Sequence, residues 1–143
     1  MPKLSVYFIR AALLYLLAGF TLGALLLTQK GLPFAVEIWL LRPLHIEVVI
    51  FGWMLQLVMG VAFWMMPRFA EAPFRGDELP AWLAFICLNL GIWLNLISFL
   101  IYDAALLGLA GRALEVLAIV LFARHLWPRI KPFADKLAAK GRE

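Results

Sequence analysis

Long apolar runs separated by short polar segments dominate the chain. The four runs lie at about 6–28, 43–66, 80–101 and 104–127. Pro43 and Pro80 open the second and third runs, and Pro67 and Pro128 follow the second and fourth, at positions where helices begin and end. A run of roughly 22–24 residues gives a helix of about 33–36 Å, long enough to cross a bilayer. The pattern predicts an all-α integral membrane protein, a single domain built as a bundle of four transmembrane helices.

The composition excludes several other classes. The 143 residues are 65% hydrophobic and 15% charged, against about half and a quarter in soluble domains, so a water-soluble enzyme is excluded. The single cysteine, Cys87, lies in an apolar run and rules out an intramolecular disulfide or a multi-thiolate metal site. No nucleophile–base pair or phosphate-binding loop is present, so we predict no catalytic residues.

The basic residues predict the orientation of the bundle. Ten of the 13 Lys and Arg residues fall at the end that holds both termini, and three fall at or near the other end. By the positive-inside rule, both termini face the cytoplasm of a bacterial-type inner membrane. The net charge of +4 therefore reflects membrane topology rather than nucleic-acid binding. Residues 128–143 alternate basic and apolar side chains, which predicts a short amphipathic helix on an anionic bilayer surface.

One face of the second run combines a histidine with small and polar residues. At 100° per residue, Gly52, Gln56 and Gly60 lie on the same face as His45. A histidine above two glycines and a buried amide favours a recess for a porphyrin ligated by His45. The alternative is a small-residue packing seam with an interfacial histidine. Glu47 points about 200° away from His45, so the two side chains cannot share one ion on a straight helix.

The fourth run carries charges at membrane depth. Arg112 and Glu115 are spaced i,i+3 at about 12 and 16 Å from its start, which predicts an ion pair that neutralises both groups. The alternatives are that Arg112 binds an anionic group and that Glu115 lies on a proton path. His125 differs from His45 by roughly 28 Å in depth, so one chain cannot ligate a single haem with both. His125 is either a ligand to a second group or an interfacial residue.

Small and polar residues on the other runs predict helix packing. Gly19 and Gly23 form a GxxxG motif that favours close contact between helices. The side chains of Asn89, Asn95 and Ser98 are expected to form hydrogen bonds between helices.

The segment 45–68 carries a family resemblance. Its histidine, the glycine seven residues later, the second glycine and the Pro-Arg exit resemble helix 2 of subunit I in the haem–copper oxidase and nitric oxide reductase superfamily. Gly111-Arg112-x-x-Glu115 and His125-x-Trp127-Pro128-Arg129 resemble the last helix of short four-helix relatives of that subunit. The resemblance implies that His45 is an axial ligand to haem b. The superfamily's reducing centre and its haems use six histidines, and this chain has two, so an autonomous oxidase is excluded.

These observations give a functional expectation. We expect a membrane protein that binds or handles haem b through His45, with Gly52, Gln56 and Gly60 beneath the macrocycle and Arg112 on a propionate. It would be an accessory to a larger respiratory oxidase or nitric oxide reductase subunit, or a homo-oligomer in which a two-fold mate supplies a sixth ligand. The roles left open are electron transfer, NO binding and haem delivery. The alternatives are a cofactor-free assembly subunit and a small proton-coupled transporter that uses Glu115 or Glu47.

Overall fold

Four long helices form the described part of the protein, which confirms the prediction of an all-α chain with four apolar helices. The computed structural model describes residues 1–69, 73–101 and 104–130, and these contain helices and connections but no strand. All four helices are long and apolar enough to cross a membrane. They are α1 (Lys3–Gly31), α2 (Val36–Met65), α3 (Leu79–Leu100) and α4 (Ala105–Leu126), and the last continues into a 3₁₀ turn, Trp127–Arg129.

The start of α2 differs most from the predicted runs. α2 starts at Val36 rather than near residue 43, because a 3₁₀ segment, Val36–Leu41, precedes its α-helical part. The Gln29 side chain accepts hydrogen bonds from the backbone N–H groups of Phe34 and Ala35 at 3.0 and 2.9 Å and closes the short connection from α1. The predicted amphipathic tail begins inside the described chain, but its residues 131–143 lie outside the described residues.

The helices pack as two antiparallel pairs. In the first pair, Ser5 of α1 donates a hydrogen bond to the Gly60 carbonyl of α2 at 2.7 Å, and Gly23 meets His45 at the other end. In the second pair, a Cβ on Gly91 of α3 would lie 2.8 Å from the carbonyl oxygen of Gly111 in α4. The absence of a side chain at these contacts allows the backbones to approach closely.

The core and the outer surface are both apolar. Outward-facing side chains on α1, such as Leu14, Leu17 and Phe20, are 68–70% exposed, which suits contact with lipid rather than water. Most of the buried apolar side chains cluster in one half of the bundle, where α1 and α3 begin and α2 and α4 end: Leu4, Phe8, Met59, Phe63, Ala81, Ala84, Leu88, Ile92, Ala118, Phe122 and Leu126. Arg68, Arg75, Arg124 and Arg129 lie at this end, which we call the basic end.

α2 is not a regular α-helix. Its middle section, Val48–Leu55, has π-helical hydrogen bonding, between an α-helical turn, Arg42–Glu47, and a final α-helical section, Gln56–Met65. A π segment widens the turn and is frequently found at functional sites. The local sequence is an apolar run with a single glycine and did not predict this change.

Candidate functional site

His45 lies on the last α-helical turn before the π segment and packs against α1. Its Nδ1 is 3.0 Å from the carbonyl oxygen of Gly19. A carbonyl oxygen only accepts hydrogen bonds, so this contact places the imidazole proton on Nδ1 and leaves the lone pair on Nε2. Nε2 has no hydrogen-bond partner among the described residues and is not one of the buried polar atoms.

The His45 ring lines an apolar groove between α1 and α2. The groove has a volume of about 440 Å³, and its other lining residues are Gly19, Phe20, Gly23, Ala24, Leu27, Val49 and Trp53. A Cβ on Gly23 would come within 2.9 Å of Cε1 of His45, so the absence of a side chain at this position lets the imidazole pack closely against α1. The GxxxG motif therefore serves close packing of α1 on α2, as predicted, and also shapes the surroundings of His45.

The recess predicted along Gly52 and Gly60 is filled by the chain itself. A Cβ on Gly52 would lie 2.6 Å from Cγ of Tyr15, and one on Gly60 would lie 2.7 Å from Cβ of Phe8. Gln56 is completely buried, and neither of its amide atoms has a hydrogen-bond partner among the described residues. No macrocycle fits beneath His45 on this face, and the open space beside the imidazole is the groove lined by Gly23, Val49 and Trp53.

Four polar side chains from three helices form a closed ring. Arg112 donates from Nη2 to Oε2 of Glu47 at 2.7 Å and from Nη1 to Oε2 of Glu115 at 2.8 Å. Asn95 Nδ2 donates to Oε1 of Glu47 at 3.1 Å and to Oε1 of Glu115 at 2.7 Å. Each carboxylate oxygen therefore has a donor, and the ring joins α2, α3 and α4.

The ring contains the ion pair predicted for Arg112 and Glu115 and adds two partners to it. Glu47 and Glu115 are 5% and 1% exposed, and a cavity of about 280 Å³ beside the ring is lined by Glu47, Asn95 and Arg112 among others. Arg112 does not line the His45 groove, because His45 faces α1 whereas Glu47 faces α3 and α4. The expected contact of Arg112 with a propionate has no support in this arrangement.

His125 lies at the basic end, away from His45. Its ring stacks on Phe63 with centroids 5.5 Å apart, and its Nε2 is buried without a partner among the described residues. The structure thus keeps the two histidines apart, as their depths in the sequence required.

Arg129 has a role that the sequence did not indicate. It is 1% exposed, although it was predicted to lie in a surface tail. It donates from Nε to the Pro67 carbonyl at 2.9 Å and from Nη2 to the carbonyls of Met66 and Phe63 at 2.9 and 3.3 Å. Arg129 therefore satisfies carbonyl groups at the C-terminal end of α2, which a helix leaves without intrahelical partners.

Asn89 and Asn95 form hydrogen bonds between helices, as predicted. Asn89 accepts a hydrogen bond from the Tyr15 hydroxyl at 3.2 Å, which links α3 to α1, and Asn95 belongs to the ring. Ser98 instead donates to the Ala104 carbonyl just before α4, at 2.9 Å. Tyr15 was not singled out from the sequence, because a single tyrosine in an apolar run gives no distinguishing signal.

Comparison of the chain with protein-family models, with curated proteins and with solved structures gave no match. The resemblance to oxidase subunit I therefore depends only on the residue patterns of segment 45–68 and of the last helix.

Proposed function

We propose that the protein binds haem b through Nε2 of His45, in the groove between α1 and α2, as a small accessory subunit of a respiratory oxidase or nitric oxide reductase. In this proposal it spans a bacterial inner membrane four times with both termini in the cytoplasm. The observation that carries the proposal is the hydrogen bond between Nδ1 of His45 and the Gly19 carbonyl. Metal-bound histidines usually donate their second ring nitrogen to such an acceptor, which fixes the tautomer and the ring orientation.

The groove residues fit a porphyrin chemically. The groove is apolar, which suits the macrocycle, and glycines on α1 bring bare backbone next to the imidazole. Phe20 and Trp53 offer aromatic surface at its walls. Lys30 lies in the last turn of α1, and Arg42 lies in the first part of α2, at the same end of the bundle. Both side chains are exposed, so they are the candidate partners for the propionates.

The chain's own contribution is to hold the ligand in place. The Gly19 carbonyl orients the imidazole, Gly23 leaves room for it against α1, and the apolar groove residues surround the ligand's binding space. Bound haem would supply one-electron transfer or an iron that binds NO. No second histidine of the described chain reaches the groove, so His45 would be the one histidine of this chain that holds the haem.

Haem titration of the purified protein in detergent tests the proposal. We expect the wild type to develop a Soret band that saturates with added haem b, and His45→Ala to lose it. His125→Ala is the matched control because it removes the other histidine, and it should keep the band. The absence of a saturable band in the wild type, or an equal band in His45→Ala, would contradict the proposal.

A cofactor-free structural subunit is the second candidate. It is favoured by the filling of the Gly52 and Gly60 recess by Tyr15 and Phe8, since this face then serves only helix packing. In that case His45→Ala would leave the assembly and the activity of the partner respiratory complex unchanged.

A transporter role for Glu47 or Glu115 is less favoured, because Arg112 and Asn95 hold both carboxylates.

A further inference from the structure

Three buried nitrogen atoms at the basic end lack hydrogen-bond partners among the described residues. They are Nε2 of His125, Nη1 of Arg129 and Nε of Arg75. All three side chains lie close to the ring of Phe63. The centroid of the His125 ring is 5.5 Å from the Phe63 centroid. The guanidinium carbons of Arg129 and Arg75 are 5.6 and 5.9 Å from it. Buried polar groups are normally hydrogen-bonded, so three such atoms around one residue require an explanation.

Positive charges also outnumber negative charges among the described residues of this end. The described residues form two salt bridges, and both involve Arg112, at the opposite end of the bundle. Neither Arg75 nor Arg129 forms a salt bridge with a described residue. The described residues at this end are 67–69, 73–78 and 123–130. They contain four arginines and two acidic residues, Asp77 and Glu78, which gives a formal net charge of +2. Two guanidinium groups near one aromatic ring repel each other, and an anion between them would offset that repulsion.

Arg75 is the least buried of the three side chains. Arg129 is almost completely buried and uses Nε and Nη2 on carbonyls at the end of α2, which leaves Nη1. Arg75 is only partly buried and lies in the connection between α2 and α3, next to Gly76, whose φ of +69° allows the turn. Nε of Arg75 has no hydrogen-bond partner among the described residues, and its partly exposed side chain lies at the bundle end, where a ligand could reach it.

We propose that Arg75, His125 and Arg129 form a binding site for a phosphate group at the basic end. A phosphate offers several acceptor oxygens and a negative charge, which match guanidinium donors and an imidazole N–H. In the proposed orientation the site faces the anionic inner leaflet, where basic pockets between transmembrane helices bind lipid headgroups. A phospholipid headgroup and free phosphate share this chemistry. The site is independent of the His45 groove and does not require haem.

Delipidated full-length protein in neutral detergent provides the test. Phosphatidylglycerol, zwitterionic phosphatidylcholine or inorganic phosphate is added, and bound lipid is counted by native mass spectrometry alongside the thermal unfolding midpoint. We expect phosphatidylglycerol to bind and to raise the midpoint, and phosphatidylcholine to do so much less. Protection by inorganic phosphate alone would also support the site and would identify free phosphate as its ligand.

Variants identify the residues involved. Arg75→Gln should weaken phosphatidylglycerol binding about five- to tenfold, as expected for the loss of one partly buried cation. His125→Gln tests the imidazole, and Arg124→Gln is the matched control because Arg124 is exposed and adjacent to His125. Far-UV circular dichroism checks that each variant is folded. Equal binding of both lipids by the wild type, or an Arg75→Gln variant that binds like Arg124→Gln, would overturn the proposal.

Discussion

Arg112→Met tests whether the polar ring holds α2, α3 and α4 together. Arg112 is the only cation in the ring and binds carboxylates on two helices at 2.7 and 2.8 Å. After the substitution, Glu47 and Glu115 would face each other with Asn95 as their remaining donor in the ring. Both carboxylates are nearly inaccessible, at 5% and 1% exposure, so the substitution leaves two poorly solvated negative charges close together.

The expected loss follows from the burial of the three groups. Removing one partner of a buried ion pair costs about 3–5 kcal/mol, because the other charge stays buried without compensation. The Arg112 side chain is 52% exposed, which lowers the contribution of its charge. We therefore expect Arg112→Met to lower the free energy of unfolding by roughly 2–4 kcal/mol.

A triple variant separates the effect of charge from that of lost packing. Arg112→Met combined with Glu47→Gln and Glu115→Gln removes all three charges and keeps the side chains similar in size. Replacing a complete buried ion cluster by neutral groups is often close to neutral, so at least about half of the lost stability should return.

Equilibrium unfolding in mixed micelles, followed by circular dichroism, measures these free energies. Arg124→Met is the control, since it removes an exposed arginine from the same helix and should change stability by less than about 0.5 kcal/mol. The reasoning fails if the triple variant is as unstable as Arg112→Met, or if Arg112→Met unfolds like the control.

Two further substitutions test the other contacts. Gly52→Ala places a Cβ 2.6 Å from the Tyr15 ring and should destabilise the α1–α2 pair by about 1–3 kcal/mol, whereas Gly31→Ala meets no atom within 4 Å and should be nearly neutral in the same unfolding assay. Arg129→Met removes three hydrogen bonds to carbonyls at the end of α2 and should cost roughly 2–4 kcal/mol, with Arg124→Met again as the control. A neutral Gly52→Ala or Arg129→Met would show that the corresponding contact does not stabilise the bundle.

The number and approximate positions of the helices were predictable, because a run of about twenty apolar residues has few alternatives to a spanning helix. The i,i+3 pair on α4 was also predictable, since it depends on the geometry of one helix. Glu47 was not predicted to join that pair. Its position beside Arg112 depends on how α2, α3 and α4 rotate against one another, and this is set by tertiary contacts such as the approach of Gly91 to Gly111.

Side chains of α1 fill the glycine face of α2 that the sequence analysis singled out. His45, Gly52 and Gly60 do face one neighbour, and that neighbour is α1. From sequence alone, a glycine that accommodates a tyrosine ring looks the same as a glycine that accommodates a porphyrin. The π segment, Val48–Leu55, is a further feature that residue patterns do not reveal, because it is a backbone arrangement open to any apolar run.

The turn that carries His45 is held from two sides. Glu47, two residues later in the same turn, is fixed by Arg112 and Asn95, while the His45 ring is fixed by the Gly19 carbonyl. A metal ligand needs such support, since its nitrogen must stay in one position without metal bound. A purely structural histidine would gain from hydrogen bonds at both ring nitrogens, yet Nε2 of His45 has no partner among the described residues and borders an apolar groove. This difference between the two nitrogens is why the groove, rather than the filled glycine face, is the place to look for a ligand.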